Sequence, residues 1–493
     1  MAVRMYSTLT GREDEIVPLH PDGVLRMYVC GMTPKYHPHV GHARLFVAMD
    51  VIRRYLTFRG YQLKFVQNFT DVDDKIIQRA ANEQRAADAT AKAYMDSYFD
   101  VMDRLNVKRA DVYPTVTAYM ERIIEFIAGL AETNHAYPSE FGDVWFDVAS
   151  FPEYGKLSKR DLNSQLVASR KELEPGKRDP RDFALWKHAR PDEPSWPSPW
   201  GRGRPGWHIE CSAMVRETLG DQIDVHGGGA DLIFPHHENE IAQSESLTGK
   251  KPFAQHWAHA GLVVLGGGEN AGAKMAHSAE NFTTLDAILD RYDPQEVRYY
   301  LLATHYRSSL TFNVDESGVR GIEDARSSLA RLRRALGPAP LDQAGPVDQP
   351  TVDRFTAAMD ADFNTPDALA VIFDLAREIN TQRALQSIAG SADTPMPARD
   401  PDYVQPPTQE AVDRLRRTLV HLLDILGLDL SAEDTSPDGQ SIEPFVNLLL
   451  DLRKKLREAR QWTLADEVRD RLKDLAVIVE DKPNGESTWR LER

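Results

Sequence analysis

One short stretch of the chain carries imidazole and carboxylate groups at helical spacing. Residues 226 to 240 read His-Gly-Gly-Gly-Ala-Asp-Leu-Ile-Phe-Pro-His-His-Glu-Asn-Glu, so His236 and Glu240 stand four residues apart just after a proline. On a helix these two side chains share a face and can bind one metal ion. Two cysteine thiolates would complete a tetrahedral zinc site, and the chain has only Cys30 and Cys211. The alternative is that both cysteines are small buried residues and that the histidines cap or line the helix start.

A second group of histidines lies near the N-terminus. The segment His37-Pro38-His39-Val40-Gly41-His42-Ala43-Arg44 follows a predicted strand and begins a predicted helix. A helix N-terminus offers N–H groups and a positive dipole end to phosphate, and Gly41 permits close approach. His39 and His42 could donate hydrogen bonds to charge that develops on a phosphoryl group. A simple helix-capping histidine cluster explains these residues equally well.

The elements around these groups predict a parallel nucleotide-binding sheet. Residues 24 to 30 read as a strand, and the run Gln62 to Asn68 reads as a second one. Between them a helix is predicted, which Gly60 ends, with one apolar face formed by Leu45, Met49, Ile52 and Leu56. A strand, helix and strand in this order indicate an α/β fold.

The rest of the chain divides at compositional breaks. Residues from about 113 to 204 are rich in proline and charge and predict an insertion that interrupts the sheet, whereas the pattern after Asp293-Pro294 is helical. Gly/Pro-rich breaks follow at 337–350 and 390–407, and a third at 431–440. We therefore expect a catalytic domain over 1–300, a helical region over 301–430 and a small C-terminal domain over 435–493.

Composition limits the classes of protein to consider. The 493 residues are long enough for about three domains, and no stretch approaches the roughly 20 apolar residues that cross a bilayer. Met1 to Glu13 lack the apolar core of a secretory signal, so we expect a cytoplasmic location and no membrane partner. Two cysteines exclude a disulfide scaffold. The net charge of -16 argues against indiscriminate nucleic-acid binding but allows a local basic surface.

The motifs resemble those of class I aminoacyl-tRNA synthetases, whose first signature has the form His-x-Gly-His, here His39-Val40-Gly41-His42. Within that class the chain is most similar to the cysteinyl-tRNA synthetase family. The similarity extends over essentially the whole chain and rests on the blocks 28–33, 68–75, 206–214, 226–243, 292–313, 362–366, 462–466 and 488–490.

The resemblance implies a Rossmann-type parallel-sheet catalytic domain with an inserted connective segment, then a helical anticodon-binding domain and a small C-terminal domain. It implies one Zn²⁺ at Cys30, Cys211, His236 and Glu240, and ATP with Mg²⁺ as substrate. The implied partners are L-cysteine and tRNA(Cys), and we expect a monomer. The same resemblance implies that Thr70 and Trp207 line the cysteine pocket. It also implies that Gly229 and Asp231 contact the nucleotide.

Zinc in such a site has a chemical purpose. Cysteine must be distinguished from serine, which differs by one atom, and a bound cation favours a thiolate ligand over a hydroxyl. A site built on one specific polar contact can discriminate by about 10⁴ to 10⁵ without editing.

The chain departs from the family in its second signature. Where the family reads Lys-Met-Ser-Lys-Ser on a mobile loop, this chain reads Lys274-Met275-Ala276-His277-Ser278, after a glycine-rich run. Lys274 and His277 remain candidate ATP contacts. Because unperturbed histidine has a pKa of about 6.5, His277 is expected to attract phosphate less strongly than lysine does.

Two other functions are compatible with parts of the sequence. A related ligase joins cysteine to a glucosaminyl-inositol in mycothiol synthesis and shares cysteine activation and zinc, but it resembles only the catalytic half. A catalytically impaired paralogue that binds tRNA or zinc for regulation is the second alternative, because of the altered second signature.

The C-terminal segment is the predicted site of anticodon recognition. Residues 443–493 hold eleven basic and eleven acidic residues, so the segment is neutral in an acidic protein. Trp462 could stack on an unpaired base, and Asp466 could accept a base hydrogen bond. Phosphate contacts are expected from a basic cluster on a predicted helix, formed by Arg453, Lys454, Lys455, Arg457 and Arg460.

Overall fold

The computed structural model divides the chain into two compact units, Met1–Leu430 and Ser431–Arg493. The first unit holds the sheet and the helices that carry the candidate site. The structure describes residues 2–160, 174–191, 193–266, 283–315, 318–338, 341–390, 407–430, 443–458, 461–474, 477–481 and 487–491.

A parallel sheet forms the centre of the first unit, as the sequence predicted. Its strand order is β10-β9-β3-β4, with β3 at Val24–Val29, β4 at Gln62–Gln67, β9 at Ile223–Gly229 and β10 at Ala254–Ala260. All neighbouring pairs in it are parallel, and an N-terminal hairpin, β1 (Arg4–Ser7) with β2 (Arg12–Glu15), precedes them. Most residues of β3, β9 and β10 are buried, as is usual for parallel sheets, and they include the polar Asp224 on β9 and His256 on β10.

Helix α1, Val40–Phe58, connects β3 to β4. Its predicted apolar face is buried: Leu45, Met49, Ile52 and Leu56 all lie in the main core. The chain then reverses through Gly60, whose φ of 87° is costly for other residues. The predicted strand–helix–strand unit is therefore confirmed with ends within about a residue.

The chain between β4 and β9 forms helices and a second sheet before the parallel sheet resumes. It contains α2 (Asp74–Asn82), α3 (Ala87–Arg104), α4 (Met120–Glu132) and α5 (Ile209–Thr218). Between α4 and α5 lies a separate antiparallel sheet of β5 (Ala136–Pro138), β6 (Val144–Phe146), β7 (Phe183–His188) and β8 (Gly203–Pro205). The core of this insertion is continuous with the residues around Cys30 and Cys211.

Helices dominate the first unit after β10. Helix α6, Glu238–Thr248, connects β9 to β10. Strand β10 is followed in chain order by β11 (Val263–Leu265), α7 (Leu285–Leu289), α8 (Pro294–Leu302), β12 (Leu310–Phe312), β13 (Val314–Asp315), β14 (Gly318–Val319) and α9 (Arg320–Leu336). Helix α8 begins at Pro294 with Asp293 as its cap, at the predicted change to helix. Helices α10 (Gln349–Asp360), α11 (Thr365–Gly390) and α12 (Gln409–Ile425) complete the unit.

The second unit has a small core of its own. It contains α13 (Glu443–Glu458), α14 (Trp462–Asp474) and the antiparallel pair β15 (Val477–Asp481) and β16 (Ser487–Leu491). Arg453 is buried, so it does not belong to the exposed basic cluster that the sequence predicted. Trp462 is 55% exposed, with the Arg457 guanidinium 6.0 Å from the centre of its ring.

Candidate active site and metal centre

Four potential metal ligands converge at the carboxyl end of β3. Cys30 follows that strand, Cys211 lies in the first turn of α5, and Glu240 lies in the first turn of α6. His236 precedes α6 in an irregular turn, where Phe234 has non-helical backbone angles. The sequence placed His236 and Glu240 on one helix, whereas the regular helix begins only at Glu238. All four ligand atoms still lie within 4.8 Å of one another and are buried.

The distances between these atoms fit a tetrahedral zinc site. Cys30 Sγ lies 3.7 Å from Cys211 Sγ and 3.5 Å from Glu240 Oε1. His236 Nε2 lies 3.1 Å from the same oxygen. Zinc–sulfur bonds of about 2.3 Å in tetrahedral directions would separate two sulfurs by about 3.8 Å, and a sulfur from an oxygen by about 3.5 Å. The donor set of two thiolates, an imidazole and a carboxylate suits zinc as well.

Charge in the metal-free cluster is unevenly distributed. Burial raises the pKa of Cys30 well above its usual range, whereas a hydrogen bond from Cys30 lowers the pKa of Cys211 to about 6. Burial opposes the charged form of His236, but Glu240 and Cys211 outweigh it and raise the pKa of His236 to about 10. A protonated His236 thus balances the anions beside it. A divalent cation would replace that proton and permit both thiols to ionise.

Histidines outside the four ligands hold them in place. His208 Nδ1 lies 3.0 Å from His236 Nδ1, which leaves His236 Nε2 facing Glu240. His226 Nε2 lies 2.9 Å from Glu240 Oε2, and the His226 ring stacks on Trp257 at 4.4 Å between centroids. Such outer partners fix the orientation of metal ligands. Sequence reasoning assigned no function to His208 or His226, because only the folded chain brings them to the cluster.

A second set, Cys30, His226, His237 and Glu240, also lies close enough to hold an ion. In this set His226 Nε2 lies 2.9 Å from Glu240 Oε2, and His237 Nδ1 lies 2.8 Å from His259 Nε2, outside the set. The second set also offers one thiolate in place of two. The set with both cysteines therefore fits zinc better.

The predicted phosphate site lies at the start of α1. His39 is the N-cap, and its Nδ1 accepts the Gly41 N–H at 3.0 Å, while His42 Nδ1 accepts the His39 N–H at 3.2 Å. In neutral imidazoles this arrangement places the ring proton of both residues on Nε2, where it can be donated. A side chain at Gly41 would approach His39 Cε1 to 2.7 Å. The capping interpretation is correct, and it leaves Nε2 as the donor nitrogen of each ring.

Cys30 of the metal cluster lines the same cavity, of about 310 Å³, as His39 and His42 at the start of α1. Its walls include Cys30, His39, Gly41 and His42, together with Trp207, Gly229 and Asp231. The Trp207 ring lies 4.5 Å from the His236 ring, measured between centroids. Thr70 is buried outside this lining and donates its hydroxyl to Glu210 Oε2 at 3.0 Å. Lys274 and His277 lie outside the described residues.

Comparison with known proteins identifies the family. A model of the class I (C) tRNA synthetase catalytic domain matches residues 15–319, and a DALR domain model matches 354–431. The chain is 43% identical over 494 residues to "Cysteine--tRNA ligase" of Dehalococcoides mccartyi, with 100% of both chains covered. It is 44% identical to the protein of that name from Moorella thermoacetica, with 98% of each covered. The chain belongs to the cysteine–tRNA ligase family.

The fold agrees with that family membership. A methionyl-tRNA synthetase of Mycobacterium tuberculosis, solved with methionyl-adenylate, superposes with a TM-score of 0.55 at 16% identity over 87% of this chain and 94% of the other. The α/β class I catalytic fold followed by a helical domain is thereby confirmed. Among the described residues, no helix is long and apolar enough to cross a membrane.

Proposed function

We propose that this member of the cysteine–tRNA ligase family activates L-cysteine with ATP to cysteinyl-adenylate and transfers the cysteine to tRNA(Cys). The observation that carries the proposal is the full-length similarity to relatives named for that reaction, at 43% identity. The convergence of Cys30, Cys211, His236 and Glu240 in the catalytic unit supports it independently.

Selection of the amino acid is assigned to the four-residue cluster. Zinc bound there would supply a Lewis acid that accepts a thiolate and holds a serine hydroxyl weakly. His208 and His226 orient two of the four ligands through the contacts described above. The Trp207 ring lines the cavity and packs against the His236 ring. We propose Thr70 as a supporting residue, since its hydroxyl contacts Glu210 beside Cys211.

Adenylate formation is assigned to the start of α1. There the Nε2–H groups of His39 and His42 can donate to the phosphate oxygens that gain charge as pyrophosphate departs. The first-turn N–H groups of α1 add a positive dipole end. We propose that Gly229 and Asp231, which also line the cavity, contact the nucleoside part of ATP. Lys274, His277 and Mg²⁺ are proposed to hold the triphosphate.

Recognition of tRNA is assigned to the helical part and the second unit. The DALR domain match over 354–431 supports a tRNA-binding function for α10 to α12. In the second unit, Trp462 is exposed and available to stack on a base. We propose that this unit reads the anticodon.

The test is cysteine-dependent exchange of pyrophosphate into ATP, followed by charging of tRNA(Cys). A cysteine–tRNA ligase performs both reactions. A regulatory paralogue would show no exchange. A ligase of mycothiol synthesis would show exchange but would load cysteine onto a glucosaminyl-inositol and leave tRNA uncharged.

A further inference from the structure

Two lysines lie side by side at the rim of the active-site cavity. Lys35 belongs to the loop between β3 and α1, and Lys75 to the first turn of α2. Both line the cavity that Cys30 of the metal cluster and the start of α1 also line. We propose that Lys35 and Lys75 form a binding site for the last internucleotide phosphate of the tRNA 3′ end. This proposal rests on the proposed function.

The pair lies where two cavities meet. A second cavity of about 370 Å³ lies between α2 and the inserted sheet, and Thr33, Lys75 and Trp207 line both cavities. The walls of the second cavity on the side of the insertion include Trp145 and Lys187. A single-stranded segment that entered from the insertion would therefore pass Lys75 before it reached the metal cluster.

The charges of the two lysines favour an anion between them. Burial lowers the pKa of Lys35, and the adjacent Lys75 ammonium lowers it further. Within the described parts of the chain, neither ammonium group has an ion pair with a carboxylate. The neighbouring acid, Asp73, accepts the Lys75 backbone N–H at 2.9 Å as the cap of α2. Two like charges in contact repel each other, and a phosphate oxygen bound to both would remove that cost.

The tRNA phosphate fits this position better than the phosphates of ATP. The triphosphate already has donors at the start of α1, on the part of the cavity that His39 and His42 line. Lys75 in addition lines the second cavity, to which the insertion contributes Lys187, whose ammonium lies 3.1 Å from the Asp74 carboxylate. The 3′ end of tRNA must bring a hydroxyl to the cysteinyl carbonyl, so its last phosphate lies within a few ångströms of that reaction centre.

The experiment removes the positive charge of the lysines and, separately, the negative charge of the last tRNA phosphate. Lys35→Met, Lys75→Met and the double methionine variant are compared with the wild-type protein. Two single variants, Lys35→Arg and Lys75→Arg, test whether a retained charge rescues the transfer. Lys92→Met is the matched control, because Lys92 pairs with Asp96 on the exposed face of α3. Each protein is assayed with tRNA(Cys) and with tRNA(Cys) that carries an uncharged methylphosphonate at the last linkage. The readouts are single-turnover transfer from enzyme-bound cysteinyl-adenylate and, separately, ATP–pyrophosphate exchange.

The double variant is expected to transfer cysteine to unmodified tRNA on the order of 10- to 100-fold less efficiently, as for the loss of charged hydrogen bonds. The methylphosphonate should cost the wild-type protein a similar factor and the double variant far less. Exchange should fall much less than transfer, and both arginine variants should recover most of the transfer rate.

Three results would overturn the proposal. They are an unchanged transfer rate, an equal methylphosphonate effect in wild type and double variant, and an equal fall of exchange and transfer. The last of these would place the phosphates of ATP at the lysine pair. If the wild-type protein showed no cysteine-dependent exchange at all, the proposed function would fail instead, so the two failures are distinguishable. Thermal unfolding of each variant confirms that it is folded.

Discussion

At the scale of single residues, the cluster illustrates how much of a metal site lies outside its ligands. Cysteine count and helical spacing made Cys30, Cys211, His236 and Glu240 candidates, and the family resemblance implied them as one ligand set. The partners His208 and His226 come from the start of α5 and from β9. Their contacts depend on how strands and helices pack, and no local pattern in the sequence contains that information.

The contact between His226 and Glu240 can be tested directly. His226→Phe keeps a ring that can stack on Trp257 but removes the nitrogen that holds Glu240 Oε2. We expect zinc affinity to fall about 10- to 100-fold, as for other outer partners of metal ligands. Competition with a chelator measures the affinity. The control is His256→Phe, another buried histidine, on β10 and outside the cluster; equal zinc affinity in both variants would refute the orienting function of His226.

The second signature gives another prediction at this scale. Lys274→Ala should lower the rate of ATP–pyrophosphate exchange by roughly 10² to 10³, because one donor to the transferring phosphoryl group is lost. His277→Lys should match or exceed the wild-type rate at alkaline pH, where an unperturbed histidine is neutral. An unchanged exchange rate in Lys274→Ala would exclude the proposed contact. A large loss in His277→Lys would show that histidine has a specialised function there.

At the scale of elements, a buried ionic network connects α1 to the helices that follow the sheet. Asp50 of α1 accepts hydrogen bonds from Arg54 Nε at 2.7 Å and from Arg298 Nη2 at 2.5 Å. Arg298, on α8, also donates to the carbonyls of Leu105 and Leu426. The network fixes α1, and with it the His39 and His42 donors, against its neighbours.

Asp50→Asn should therefore destabilise the protein. Burial alone would raise the pKa of Asp50, but Arg298 and Arg54 outweigh it and lower that pKa below its usual range. The ionic contribution is thus complete above about pH 3.9 and is lost as the pH falls through the lower pKa of the folded state. We expect the free energy of unfolding in urea to fall by about 3 to 5 kcal/mol at pH 7, and the difference from wild type to shrink below about pH 4.

A surface pair provides the control for that measurement. Asp96→Asn breaks only the exposed contact with Lys92 and should change the free energy of unfolding by less than about 1 kcal/mol. Equal effects of the two substitutions would contradict a stabilising network at Asp50.

The strands and helices were predicted correctly where apolar residues recur at a regular spacing. The prediction failed where an irregular turn or the packing of one side chain decides the structure. The strands at Val24 and Gln62 and the helix between them followed from apolar runs and one apolar face. The turn before α6 did not, because Pro235 lacks the N–H that a regular helix needs there. Arg453 was expected on a basic surface, but its position on α13 faces the small core around Val446 and Leu450.

At the scale of the whole molecule, the chain combines a catalytic unit with a separate small unit. The sequence predicted a break near residue 431 from composition alone, and the two compact units divide there. The domain limits at 300 and 435 stay predictions. Metal ligands, cavity and α1 all belong to the first unit, so adenylate chemistry should not depend on the second.

Deletion of residues 435–493 tests that separation. We expect cysteine-dependent ATP–pyrophosphate exchange to be largely intact, because every residue of the cavity lies before the deletion. Charging of tRNA(Cys) should be strongly weakened, since Trp462 and its basic neighbours are lost. Circular dichroism verifies that the shortened protein is folded. Undiminished charging by that folded protein would exclude an anticodon function for the second unit.

We propose above all that Cys30, Cys211, His236 and Glu240 bind one zinc ion, which selects cysteine for attachment to tRNA. Its most direct test measures zinc content and ATP–pyrophosphate exchange on the same samples of wild-type, Cys30→Ser and Cys211→Ser proteins, with cysteine and with serine. We predict about one zinc per chain in wild type and exchange with cysteine only, which chelation abolishes and added zinc restores. Both variants should lose zinc and exchange together. Stoichiometric zinc in both variants, or undiminished cysteine exchange after the metal is removed, would contradict the claim.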